Sequence, residues 1–159
     1  MKRSLVLLCS FLAAAPVHAR DAMVPADPSA DGLQTIVDAA CFSDRPVMGF
    51  DPAAATKKAA HDRSKPIVQR SGPNTMRFVP KVDGTVFVDS VSIRTITNFK
   101  EVDQLLGLSN ADVAKKFGAP SRMAGGVYTY DVGDSEEIAF VFTAGKIAEI
   151  NIKCGIGTD

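Results

Sequence analysis

Three successive segments near the C-terminal end, GGVYTYDV, EEIAFVFT and KIAEINIKC, alternate apolar and polar residues. A period of two is the signature of a β-strand, whose side chains point to opposite faces in turn. Tyr128, Tyr130 and Val132 make one set, Ile138, Phe140 and Phe142 a second, and Ala148, Ile150, Ile152 and Cys154 a third. GDS and Ala144-Gly145 read as the turns between them. Clean alternation means that one sheet face is buried and the other meets water. Glu149, Asn151 and Lys153 belong to the wet side of the last segment.

Two helices separated by two residues precede this meander. Asn98 with Glu101 three residues later has the form of a capping box. Phe99, Val102, Leu105 and Leu106 supply an apolar stripe, and Gly107 the C-cap. In GLSNADVAKKFGAPS, Ser109 is the expected N-cap, Asp112 sits at the third helical position, and Leu108 is placed to staple onto Val113. Val113 and Phe117 share a face, and Gly118, in a left-handed conformation, ends the helix before Pro120. Residues 98–154 thus predict a helix-helix-three-strand module. The fold class expected is α+β, an antiparallel sheet with helices packed on one face.

Further upstream the signals are weaker. Residues 20–30, RDAMVPADPSA, read as a loose, flexible segment, and residues 31–159 as a single domain. Leu33, Ile36, Val37 and Ala40 recur at helical spacing, with Cys41 at the end of that helix. Asp51-Pro52 is an N-cap followed by proline at the first helical position. The alanine- and lysine-rich stretch behind it predicts an exposed helix with little to bury. PIVQ and MRFVP predict short strands, Val82 to Gly84 a turn, and residues 85–97 one long β-branched strand. In it Val86 and Val88 point one way and Phe87, Val91 and Ile93 the other, a conflict that a bulge would resolve.

The beginning of the chain speaks to compartment. Lys2 and Arg3 precede an apolar run from Leu5 to Ala15, and Val17-His18-Ala19 has the small-x-small pattern of a signal-peptidase site. The run is shorter than the roughly 20 residues of a membrane-spanning helix. Residues 1–19 are expected to be a leader cleaved after Ala19, which places the protein in the periplasm or outside the cell. Lipidation at Cys9 is disfavoured because the apolar core continues beyond it. No later stretch is long and apolar enough to span a membrane. Without Lys2 and Arg3, 16 basic residues stand against 18 acidic ones, which leaves no cationic excess for a nucleic-acid partner.

Of the three cysteines, Cys9 lies in the expected leader, so Cys41 and Cys154 remain. In an oxidising compartment two such residues predict one disulfide, with two buried free thiols as the alternative. The bridge would close a loop of more than 100 residues, worth about 4–5 kcal/mol of chain entropy less any native strain.

Catalytic parts are scarce. His61 is the one histidine beyond the leader, and zinc sites need three or four N or S donors. Nucleophile elbows and S-x-x-K motifs are missing. Asp134, Glu136 and Glu137 cluster at the GDSEE turn, where a solvated surface is the ordinary outcome and a small hydrolase the rival one. No catalytic residue, cofactor or metal is therefore expected. Tyr128 and Tyr130 either stack in the core or line an exposed concave sheet that meets a partner. Glu149 and Asn151 are the further candidate contact residues.

The words FKEVDQLLGLSNADVAKKFGAPSR, VYTYDV, EEIAFVFT and KIAEINIK, in that order, resemble the module of small outer-membrane assembly lipoproteins of the SmpA/OmlA type. They are similar also to one half of the secreted β-lactamase inhibitory proteins. The matching pieces are Gly107-Leu108-Ser109, Asp112-Val113 and Phe117-Gly118-Ala119-Pro120, with the aromatic strand near Tyr128. The lipoproteins carry a lipidated cysteine that this chain lacks a convincing site for. The inhibitory proteins contain two modules, and residues 20–97 show no second clear copy, although Leu33 to Thr97 leaves a degenerate one open. The resemblance implies a non-enzymatic protein-binding module with another envelope protein as partner, or an inhibitor or immunity protein that blocks an enzyme. The disulfide supplies the sharpest test at this level. The exported protein should be two hydrogens lighter in intact mass than its reduced form, and inert to a thiol probe until reduced.

Overall fold

The structure, a computed structural model, describes residues 28–43 and 45–155. The expected leader, its cleavage point and Cys9 lie outside the described residues. Helix α1 spans Pro28–Cys41 and α2 Pro52–Ala59, followed by strands β1 (Ile67–Ser71), β2 (Asn74–Pro80) and β3 (Val86–Ile93). Then come helices α3 (Lys100–Asp103) and α4 (Asn110–Phe117) and strands β4 (Arg122–Ala124), β5 (Val127–Asp131), β6 (Glu137–Thr143) and β7 (Lys146–Lys153). The segment read as loose gives way to helix at Pro28, where proline's fixed φ and Asp31 in the first turn both favour helix.

All seven strands join one sheet in the order β1-β2-β3-β7-β6-β5-β4, each neighbouring pair antiparallel. Alternation carries across the strands in register. Met76, Val91, Ile152, Ile138 and Tyr130 lie side by side, and all are buried. The helices cover this face. α1 rests on β3, α2 spans β1 to β3, and Phe117 of α4 stacks on Phe140 with ring centroids 5.9 Å apart. α2 is less idle than its composition predicts, because Ala55 and Ala59 are wholly buried. Small residues there let the helix backbone approach the sheet closely.

The two halves of the chain repeat one order of elements. α1-α2-β1-β2-β3 is answered by α3-α4-β5-β6-β7, and reading outward from the centre the sheet runs β3-β2-β1 on one side and β7-β6-β5 on the other. The third strand of each half carries a bulge. Asp89 is the extra residue of β3 opposite Arg77 and Phe78, and Ala148 that of β7 opposite Val141 and Phe142. The first bulge settles the conflict within β3, since it brings Val88, Val91 and Ile93 onto the same buried face. The second corrects the expected core set. Ile147 is buried and Ala148 is exposed, because one extra residue inverts the alternation on either side of it.

Local chemistry departs from expectation at five further places. β3 ends at Ile93 instead of Thr97, because the Asn74 side chain bends the chain away: its Oδ1 accepts from the backbone N–H of Arg94 and of Thr95 at 2.8 and 3.0 Å. Asn98 does not cap α3. It takes φ 64°, while Asp103 Oδ1 accepts from the backbone N–H and the hydroxyl of Thr97, so Thr97 and Asp103 fix the entry. α3 ends at Asp103, and Gly107 instead donates its N–H to Ile147 O, tying the link between the helices to β7. Gly118 has positive φ but extended ψ, 76° and −161°, a region essentially restricted to glycine. A hairpin strand, β4, joins the expected meander through Gly125-Gly126, both at positive φ as a two-residue hairpin turn of the I′ type requires.

Other expectations hold. Asp51 caps α2, accepting from Ala53 N and Ala54 N. Ser109 and Asp112 form a reciprocal capping box. Cys41 and Cys154 are bonded, with Cα atoms 5.5 Å apart. The bond fastens the end of α1, in the first half, to the residue after β7, in the second. Among the described residues no buried side-chain polar atom lacks a hydrogen-bond partner. Asn74 is buried, so Asn74→Ala removes the acceptor for two backbone N–H groups at once. It should lower stability by about 1–3 kcal/mol, read as a fall in the urea midpoint at unchanged m-value.

Candidate protein-binding face

The face opposite the helices is built from the polar half of the alternation. Thr75, Ser92, Asn151, Ala139 and Thr129 are partners in register across β2, β3, β7, β6 and β5. Arg70 on β1 and Arg122 on β4 end this row. Seven strands at ordinary spacing make it about 29 Å long. One step along the strands a second row runs Arg77, Ser90, Lys153, Glu137 and Asp131. The first row is short in side chain and the second mostly long, so a trough of about 340 Å³ lies between Thr75, Ser92, Asn151 and Ala139 and their longer neighbours.

Ion pairs stiffen the margins of this trough. Arg94 Nε lies 3.0 Å from Glu149 Oε2, and the same carboxylate accepts from the Ser92 hydroxyl at 2.8 Å. Arg77 pairs with Asp89, the bulge residue, which also accepts from Ser90 Oγ. Arg122 reaches Glu137 at 2.7 Å and Asp131 at 3.8 Å. Burial works against the Glu149 charge, but hydrogen bonds from Arg94 and Ser92, the Arg94 charge and a weaker Asn151 contact outweigh it and hold the carboxyl below its ordinary value.

The four candidate contact residues divide between the two faces. Glu149 and Asn151 sit on the open face, neighbours along β7. Tyr128 and Tyr130 sit on the helix-covered face. Tyr130 is buried, its ring edge-on to Phe117 and Phe140, and its hydroxyl donates to Gly118 O at 3.1 Å. Burial raises its pKa, with a smaller contribution from Tyr128. Tyr128 packs against Phe142 at 4.8 Å. The tyrosines therefore share no surface with Glu149 and Asn151.

Sequence reasoning passed over Arg77, Arg94, Arg122 and Ser92. Ser92 was open to discovery as a polar residue alternating with Val91 and Ile93. The arginines become a set only through strand register, which the linear sequence does not display.

The carboxylates of the rival hydrolytic reading line a different cavity, of about 520 Å³, where Asp134, Glu136 and Glu137 face Asp89, Asp131 and Lys153. His61 is not near them. It lies just beyond α2, over the β1–β3 half of the sheet, and its Nδ1–H donates to Lys57 O at 3.0 Å. Among the described residues no group of three His, Cys, Asp or Glu is arranged to hold a metal ion, and no helix is long and apolar enough to cross a membrane.

Comparison of the chain with protein-family models, curated proteins and solved structures found no match.

The Glu149 cluster has a defined pH signature. Its folded pKa lies below the ordinary 4.5, so its stabilising contribution is complete above that pH and is lost as pH falls through the folded value. Glu149→Gln should flatten the acid limb of the stability curve below about pH 4.5. Urea midpoints measured from neutral pH downward check this, and equal acid limbs in both proteins would refute it.

Proposed function

We propose that this protein is an exported, non-enzymatic binding protein that engages another envelope protein in the periplasm, with a role in envelope assembly or maintenance. The observation that carries the reading is the open face itself. Among the described residues no helix or loop is packed across it, yet it has a continuous concave floor and three arginine–carboxylate clusters held in fixed geometry. The leader-like start and the resemblance of residues 98–154 to partner-binding modules support the same reading.

A second reading, an inhibitor or immunity protein that blocks a partner enzyme, is favoured by the β2–β3 hairpin. At its tip, between Lys81 and Thr85, Val82 is 97% exposed. A single exposed apolar residue is ordinary on a protein surface; what favours this reading is its place at the tip of a projecting hairpin, where it can reach a cleft.

The two readings separate in one capture experiment from envelope extract. Ala139→Trp places an indole on the floor of the trough, and Val82→Asp changes only the hairpin tip. The proposal expects a defined partner that wild type and Val82→Asp retain and Ala139→Trp releases, both variants keeping the wild-type circular dichroism. Retention by Ala139→Trp with loss from Val82→Asp transfers the function to the hairpin. Equal retention by all three removes both readings.

A further inference from the structure

We infer that the partner presents an acidic polypeptide surface to the open face, its carboxylates meeting Arg77, Arg94 and Arg122 with Lys153 among them. This rests on the open face being the binding surface and adds what kind of surface it meets.

In each ion pair the arginine is the outer member. Arg77 is 43% exposed against 30% for Asp89, Arg94 56% against 20% for Glu149, and Arg122 61% against 31% for Glu137. Asp89, Glu149 and Glu137 lie toward the sheet with the guanidiniums above them, while Asp131 is about as open as Arg122. A carboxylate beneath an arginine fixes its direction and leaves it less side-chain freedom to lose on binding. It does not exhaust its donors. Arg77 reaches Asp89 through Nη1 and Arg122 reaches Glu137 through Nη2, so the other N–H groups of each fork stay free for a second carboxylate.

The charge count agrees. Lys153 and Arg70 enter no ion pair among the described residues, so on the β1–β3 and β7 side of this face four cationic side chains (Arg70, Arg77, Arg94 and Lys153) stand against two carboxylates (Asp89 and Glu149), while at the β4–β6 end Arg122 stands among Asp131, Asp134, Glu136 and Glu137. Lys153 lies two strands from Arg77 in the same row, about 10 Å away. Ser90, Ser92, Thr75 and Asn151 furnish hydroxyls and an amide between the charges, which suits hydrogen bonding to a polypeptide. Asp134 and Glu136, at the β5–β6 end, repel acid there and so restrict where along the face it settles.

The test is an NMR titration of the full protein, following backbone amides and arginine Nε–H groups. The probes are a short glutamate-rich peptide, a lysine-rich peptide of equal length, and vesicles containing phosphatidylglycerol. Saturable shifts confined to the open face, caused by the glutamate-rich peptide and weakening with salt, support the proposal. Lys153→Glu, which breaks no ion pair of the fold, should weaken that binding about tenfold. The same shifts from the lysine-rich peptide overturn the acidic partner and leave the open-face reading standing. Binding to the vesicles with none to the glutamate-rich peptide overturns it in favour of lipid. Absent shifts, or shifts on the helices, also overturn it. Whether Ala139→Trp still releases the captured partner then tells whether the face or only its charge preference has failed.

Discussion

Everything on both faces of the sheet depends on one short junction, the antiparallel pairing of β3 with β7. Four residue pairs make it, from Ser90 with Lys153 to Ile93 with Ile150. Cys154 extends it by donating its N–H to Asp89 O. On the helix side the junction buries Val91, Ile93, Ile150 and Ile152. On the other side it sets Ser92 beside Asn151 at the centre of the trough. A slip of one residue would turn Asn151 inward and Ile150 outward, so core and trough are specified together by one register. The Cys41–Cys154 bond lies at the end of this junction and spans 113 residues of sequence. Its effect on the unfolded chain is therefore large for a single bridge, and in the folded chain it guards the seam between the halves.

The two faces illustrate opposite uses of polar groups. On the helix side, polar atoms are few and each has a structural partner. Asn74 closes the turn after β3, Thr97 and Asp103 begin α3, and the Tyr130 hydroxyl holds the glycine that ends α4. On the open side, carboxylates satisfy arginines without enclosing them. Surface ion pairs of this kind add little to stability, commonly under about 1 kcal/mol each. What they supply is orientation, which matters for recognition more than for folding.

How much of this was legible in the sequence follows from the range of each interaction. Contacts within a turn or two of chain were readable: the Asp51 and Ser109 caps, the α1 stripe, the alternation of β5 to β7. The Cys41–Cys154 pairing was readable because only two cysteines remained to pair. Readings failed where a distant group overrode the local signal. Asn98 looked like a cap, but Asp103 had already taken Thr97. β3 looked longer, but the Asn74 side chain, from a strand paired with it, ends it at Ile93. The Ala148 bulge moved a core position by one residue, and bulges depend on the neighbouring strand. The repeat was left open over Leu33 to Thr97 and no further, because what the halves share is element order and bulge position and not the words of the sequence. The trough was half visible, since Asn151 lines it and Glu149 shares its face, while Tyr128 and Tyr130 lie on the helix side.

The repeated halves carry a consequence for docking. If the open face receives a partner as proposed, a sheet whose halves repeat one strand order about the β3–β7 pair would offer it two landing poses, turned half a revolution from each other. The strands common to both halves cannot choose between them. The choice falls to positions where the halves differ, in side chain at Thr75 against Ala139 and Ser92 against Asn151, and in backbone at a short fourth strand with its arginine on one flank only. Broken symmetry, rather than depth or area, is then what gives this surface a sense of direction.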